Sequence, residues 1–169
     1  MTQSSFKIND EIVEYKKFIK KFKSLELSTI GDKGNPETSY APFVKDNKNN
    51  FYIFVSFLAS HSKNLINDRR AGVMLIEGEE KAENIFARKR IIFDCNVDLV
   101  RENTQEWKKI MLKFDKNVGG LMAILRTLPD FKLFCLKPQT GRFIKGFGMA
   151  FKISGQKMDN LSQIIPIKK

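Results

Sequence analysis

Along this chain the hydrophobic positions change period several times, and each change marks an element. Ile8, Ile12, Tyr15, Phe18, Ile19 and Phe22 recur at spacings of three and four with lysines between them. That pattern predicts an amphipathic helix over residues 8–22, with Asn9 or Asp10 as its N-cap. Residues 24–30 read as a strand. Gly31, Gly34 and Pro36 supply a turn before a strand over 37–45, and residues 46–50 turn the chain into a third strand over 51–56. A short helix over 61–67 leads to an apolar strand over 71–76. Residues 79–86 read as a brief helix with Ala82, Ile85 and Phe86 on one side.

The clearest alternation follows. Ile91, Phe93, Cys95, Val97 and Leu99 share one strand face, while Asp94, Asn96 and Asp98 share the other. Residues 102–128 have helical spacing through Trp107, Ile110, Met111, Phe114, Val118, Leu121, Met122 and Leu125, with Gly119-Gly120 bending or ending that helix. Trp107 is most simply helix core. Two further strands, 131–136 and 141–153, are joined through Lys137-Pro138-Gln139-Thr140. Strands linked by short turns, with one long helix inserted, predict an α+β, mainly β fold: an antiparallel sheet or small barrel. The chain reads as a single domain over 1–169: an N-terminal helical segment 1–23, a barrel 24–155 with the inserted helix 102–128, and a tail 156–169.

Composition narrows the function. The 169 residues hold 42% apolar residues, 15 Phe, 30 Lys plus Arg and 19 Asp plus Glu, for a net charge of +11. Such a surplus attracts anions. The basic residues are spread thinly, and no nucleic-acid motif accompanies them, so neither a nucleic-acid nor a membrane partner is expected. Two distant cysteines, Cys95 and Cys135, give neither a zinc pattern nor a redox pair, and the expected location is the cytoplasm. No GxGxxG or Walker loop is present. There is one histidine, His61, so a mechanism that needs an imidazole uses it, borrows one from a partner chain, or does without.

Anion-binding side chains fall at strand ends: His61, Lys63 and Asn64 after the third strand, and Arg88, Lys89 and Arg90 before the fifth. Converging, they make a phosphate or carboxylate pocket; apart, the arginines are an exposed basic corner. Gly146-Phe147-Gly148, late in a strand, allows either a close approach by a backbone or flat ring, or a bulge.

The run Leu27-Ser-Thr-Ile-Gly31, Gly34-Asn-Pro36 and Ser39-Tyr-Ala-Pro-Phe43 resembles the opening of the HugZ/HutZ-type haem-utilisation proteins. These are a branch of the pyridoxamine 5′-phosphate oxidase-like, FMN-binding split-barrel superfamily. The likeness continues in order through Ala59-Ser-His61-Ser-Lys-Asn64-Leu, Met74-Leu-Ile-Glu77, Phe86-Ala-Arg-Lys-Arg90-Ile, Leu128-Pro-Asp130-Phe and Lys145-Gly-Phe-Gly148-Met-Ala. The resemblance implies a homodimer of six-stranded antiparallel split barrels with ligand sites at the subunit interface. From the oxidases it implies FMN, with His61 where they carry a phosphate-binding lysine, Arg88 or Arg90 on the other phosphate-facing strand, and Val55 and Ser56 along the flavin. From the haem branch it implies haem, opened with oxygen and electrons from an external donor to release iron. There Arg90 would lie over the distal face and Asp130 would support a proximal histidine near the C-terminus.

The segment Asn160-Leu-Ser-Gln-Ile-Ile-Pro-Ile-Lys-Lys169 holds no histidine, and Ser39-Tyr40 replaces an arginine of the oxidases. His61 is thus the one histidine available to haem iron, and no metal ligand is assigned. Three readings follow: a haem-binding, haem-degrading protein; an FMN-dependent oxidoreductase; or a non-catalytic haem carrier.

Overall fold

The computed structural model describes residues 3–165. Its elements in chain order are α1 (Gln3–Ile19), β1 (Ser24–Ile30), β2 (Pro36–Lys45), β3 (Phe51–Ser56), α2 (Ser60–Asn67), β4 (Arg70–Ile76), β5 (Arg90–Val100), α3 (Gln105–Val118), α4 (Leu121–Leu125), β6 (Phe131–Gly146), β7 (Met149–Ser154) and β8 (Asn160–Gln163). The strands are antiparallel in the order β3-β2-β1-β4-β5-β6-β7-β8, and β6 also pairs with β3. That pairing closes β1 to β6 into the expected six-stranded barrel, and β7 and β8 extend it from the far half of β6.

The alternation in β1, β4 and β5 follows from this closure. Leu25, Leu27, Val73, Leu75, Ile91, Phe93, Cys95 and Val97 point into a core shared with Phe51, Ile53, Phe134, Leu136 and Phe143. α1 covers one end of the barrel: Tyr15, Phe18 and Ile19 join this core, and the Tyr15 hydroxyl donates to the Met158 carbonyl at 2.8 Å. α2 lies across the other end, with Leu65 buried in the same core. A second apolar layer lies outside the wall, where Ile110, Met111, Phe114 and Met122 of α3 and α4 cover Val44, Tyr52, Val100, Leu133 and Cys135. β3 and the first half of β6 therefore bury both faces, which explains their unbroken apolar runs.

Several sequence expectations change. α1 begins well before Asn9 and Asp10, so neither caps it. Residues 79–86 form two single 3₁₀ turns rather than a helix, because the Asn84 side chain accepts the Phe86 N–H and starts a new turn. Ile85 and Phe86 are exposed. Leu99 keeps its place in the alternation but lies past the barrel interior and is half exposed, whereas Val100 on the other face is covered by the helical layer. Gly119, at φ 75°, ends α3, and α4 follows. Lys137 to Thr140 is not a turn. β6 runs through it with a register shift opposite Asp94 and Cys95, the place where Pro138, without an N–H, is tolerated. Directly after it, Gly141 is required, since a Cβ there would lie 2.6 Å from the Phe93 ring. Gly146-Phe147-Gly148 makes the β6–β7 hairpin turn, with Gly148 at φ 69°. The expected tail contains β8, while residues 1–2 and 166–169 lie outside the described residues. Cys95 and Cys135 are free and buried, and burial raises both thiols, Cys135 to about 11.

The α1 contact carries a charge clamp. Lys145 Nζ lies 2.6 Å from Glu11 and 2.5 Å from Glu14, and Lys89 also pairs with Glu14. Burial alone would raise the Glu14 carboxyl, but hydrogen bonds from Lys145 and Lys89 hold it below its ordinary 4.5. Burial alone would lower Lys145, yet Glu11 and Glu14 hold it above 10.5. The carboxylate's contribution is present above pH 4.5 and is lost as pH falls through its lowered value. The ammonium's contribution is present below pH 10.5 and is lost as pH rises through its raised value. Glu14→Gln is expected to lower the melting midpoint across the neutral range, with the gap from the native chain closing in strong acid. Melting curves over pH check this; a gap that does not vary with pH contradicts it.

Candidate functional site

The closed antiparallel barrel sorts the candidate residues between its two ends. One end carries the C-terminal end of β3, α2 and the N-terminal end of β6, and with them Val55, Ser56, His61, Lys63, Asn64 and Asp130. The other carries the start of β5 and the β6–β7 turn, with Arg88, Lys89, Arg90, Gly146, Phe147 and Gly148. Arg90 pairs with Ile76, whereas Thr29, which touches α2, lies just beyond the row of Ser28, Gly72 and Asp94. Four positions of β5 separate those rows, roughly 13 Å at the rise of extended chain. The two groups do not converge within one chain.

At the first end, Ser56 Oγ–H donates to Asp130 Oδ2 and accepts from the Leu58 N–H at 3.0 Å, while the Phe57 N–H donates to the Asp130 carbonyl at 2.9 Å. The β3–α2 loop is thereby fixed to the Pro129-Asp130 corner, and one carboxylate oxygen of Asp130 remains. Val55 is buried in the barrel core. In α2 the N-cap is Ala59, whose side chain makes no capping bond. The carboxylate of Glu37, from β2, lies against the first turn instead: Ser60 Oγ–H donates to Oε1, and Asn64 Nδ2 donates to Oε2 at 3.0 Å. The Asn64 amide also bonds Thr29 Oγ1 at 3.0 Å. These two bonds from Ser60 and Asn64 lower the Glu37 pKa. His61 is half-buried, its Nε2 is buried without a partner, and burial lowers its pKa against the opposing pull of Glu37. At neutral pH it is a neutral imidazole. Lys63 is exposed.

At the second end most charge is already engaged. Arg88 donates through Nε to the Glu77 carbonyl at 3.0 Å and through NH1 to Glu79 at 3.1 Å. Lys89 is held by Glu14. Arg90 makes one bond, to the Arg88 carbonyl at 2.9 Å, and no ion pair among the described residues. Phe147 is 71% exposed at the tip of its turn. Of this basic cluster, Arg90 is the cation left for a ligand.

A groove beside Asp130 escaped the sequence reading. It has a volume of about 620 Å³, lies between α3–α4 and the barrel wall, and includes Pro129 and Phe131 on either side of Asp130. Phe54, Phe131 and Trp107 wall it, Arg101, Arg126 and Lys132 supply three cations, and Glu102 supplies one carboxylate. The Phe54 and Phe131 rings lie 5.2 Å apart. Arg126 NH2 meets Asp115 at 2.5 Å and the Met111 carbonyl at 3.0 Å, but its buried Nε–H has no acceptor. Flat aromatic walls beside cations suit a planar, amphipathic carboxylate. Trp107 reads from spacing as core, and it serves both roles, half-buried against the helical layer and lining the groove.

The flavin phosphate fits this arrangement poorly. Of its expected holders, His61 is a neutral imidazole, the Asn64 amide is already bonded to a carboxylate and Arg88 is engaged at the other end, which leaves Lys63 and Arg90. The groove, with its aromatic walls and cations, and the unpaired Arg90 are the features left open to a carboxylate-bearing ligand. Among the described residues no three His, Cys, Asp or Glu side chains gather as a metal site, and no helix is long and apolar enough to cross a membrane.

Residues 13–145 match the family model for pyridoxamine 5′-phosphate oxidase. The chain is 37% identical over 145 residues to the protein named Heme oxygenase HutZ of Vibrio cholerae, a match spanning 86% of this chain and 82% of that one. It is similar to the crystal structure of HutZ from Vibrio cholerae, described as a heme storage protein, with a TM-score of 0.74 at 36% identity, over 80% of this chain and 94% of that chain. It is also similar to Campylobacter jejuni ChuZ, with a TM-score of 0.81 at 29% identity, over 100% of this chain and 67% of that one.

The single histidine makes the electrostatics of α2 directly measurable. His61 is expected to titrate below 6.5, and Glu37→Gln is expected to lower its midpoint further, because the nearby carboxylate favours the imidazolium. Proton NMR of the imidazole over pH reads both. A midpoint above 6.5, or one that rises in the variant, contradicts this geometry.

Proposed function

The chain belongs to the pyridoxamine 5′-phosphate oxidase family, and from that premise we propose that it binds haem and, with oxygen and an external electron donor, opens the macrocycle to release iron. The observation that carries this reading is the groove beside Asp130, whose aromatic walls and cations suit a flat ring edged with propionates. The likeness to a protein named as a heme oxygenase supports the same ligand. Haem is the substrate here, and the reducing equivalents come from elsewhere, since the chain has no nicotinamide-binding motif.

The roles divide by barrel end. Lys132 and Arg101 meet carboxylates, Trp107 and Phe131 pack on the ring, and Asp130 holds a proton donor or water with its remaining oxygen. Arg90, at the opposite end, reaches a ligand beside Asp130 only from a second copy, so the working unit is a homodimer with the ligand at its interface. His61 shares an end with Asp130 and is this chain's one histidine for the iron. The buried, free thiols suit a reducing cytoplasm. FMN is the second reading, favoured by the family match and opposed by the carboxylate lying on α2.

Haemin titration followed by ascorbate in air tests the proposal. The native chain is expected to saturate and then lose its Soret band. Replacing Arg101 and Lys132 together by alanine should weaken haemin binding about tenfold, or roughly 1.4 kcal/mol. Arg90→Ala should slow the loss of the Soret band more than it weakens binding. Saturable binding without Soret decay identifies a carrier, and bound flavin without haemin uptake overturns the proposal.

A further inference from the structure

We infer that Glu37 is a built-in anion that excludes phosphate-bearing cofactors from the first turn of α2, and thereby sets which ligands this barrel accepts. The inference stands apart from the haem reading and rests on contacts among three elements. Ser60 and Asn64 lie four residues apart on one face of α2, and both donate to the Glu37 carboxylate. Asn64 is only 5% exposed, and its amide nitrogen is shared between Glu37 and Thr29, leaving no donor hydrogen to turn toward a ligand. Thr29 and Glu37 are cross-strand partners in β1 and β2, so strand register itself holds the carboxylate in place.

The helix end gains from this arrangement. Ala59 offers no capping oxygen, and a carboxylate against the first turn meets the positive end of the helix dipole. An arriving phosphate has two courses. It can sit beside Glu37 as a like charge, or displace it and break both side-chain bonds. Neither course finds a strong counter-charge, because His61 is neutral and Lys63 is the only cation in the helix. The exclusion comes from the carboxylate's charge, and a neutral side chain of the same shape removes it.

The test is a titration of the full chain and of Glu37→Gln with FMN, read by quenching of flavin fluorescence. Inorganic phosphate is titrated separately and read by amide NMR shifts in α2, with haemin run in parallel. The native chain is expected to show no saturable FMN binding, and the variant to bind FMN saturably and inorganic phosphate at least tenfold more tightly. Glu37→Ser, scored identically, serves where Glu37→Gln folds poorly. Saturable FMN uptake by the native chain overturns the inference, as does an equal response of native and variant chains, including no response from either. Because the readout is phosphate, a failure of haemin to bind leaves this result interpretable.

Discussion

Closure of the barrel through the β3–β6 pairing is the constraint on which the rest depends. β6 runs for 16 residues, pairing with β3 through its first half, with β7 through its second, and with β5 along most of its length. Closure forces an inside and an outside on every strand, which produces the apolar alternation of β1, β4 and β5. It also forces successive strand ends to opposite mouths of the barrel. Candidate side chains placed after β3 and before β5 therefore separate, however near they stand in sequence. A ligand that needs both groups has to bring two barrels together.

The fold was largely legible because most strands obey simple rules: alternation where one face is wet, apolar runs where both are covered. What misled was local chemistry that tertiary pairing overrides. Lys137-Pro138-Gln139-Thr140 has a turn's composition, but pairing with β5 holds that stretch as one bulged strand. Leu99 fits the core parity yet lies past the end of the interior. The site was legible in part. His61, Asn64, Arg90 and Asp130 announce themselves by type and motif. Glu37 does not, since it is one carboxylate in an alternating strand and only the packing of α2 on β1 and β2 gives it donors. Arg126 and Trp107 look like helix surface and helix core until the groove between helices and wall is seen.

The surplus of positive charge gains meaning once its partners are known. Lys89 and Lys145 hold α1 through Glu11 and Glu14, Arg88 holds the loop after β4, and Lys137 and Arg69 share Asp98. These contacts serve structure and are screened or satisfied locally. Many cations, Lys63, Arg142 and Lys152 among them, make no ion pair with the described residues; Arg101 and Lys132 are two of these that line the groove, and Arg90 is one at the opposite end. A diffuse positive field steers an anion toward the molecule, and the groove is where two of these cations stand beside aromatic walls.

The central claim is that one ligand draws on opposite ends of two barrels. It is tested most directly by co-expressing Arg90→Ala and Asp130→Ala chains under separable tags, isolating the mixed assembly, and following Soret decay with ascorbate. The account predicts that each variant alone degrades haem slowly, and that the mixed assembly regains a substantial fraction of the native rate because one of its two sites keeps both residues. A mixed assembly no faster than either variant alone would contradict it.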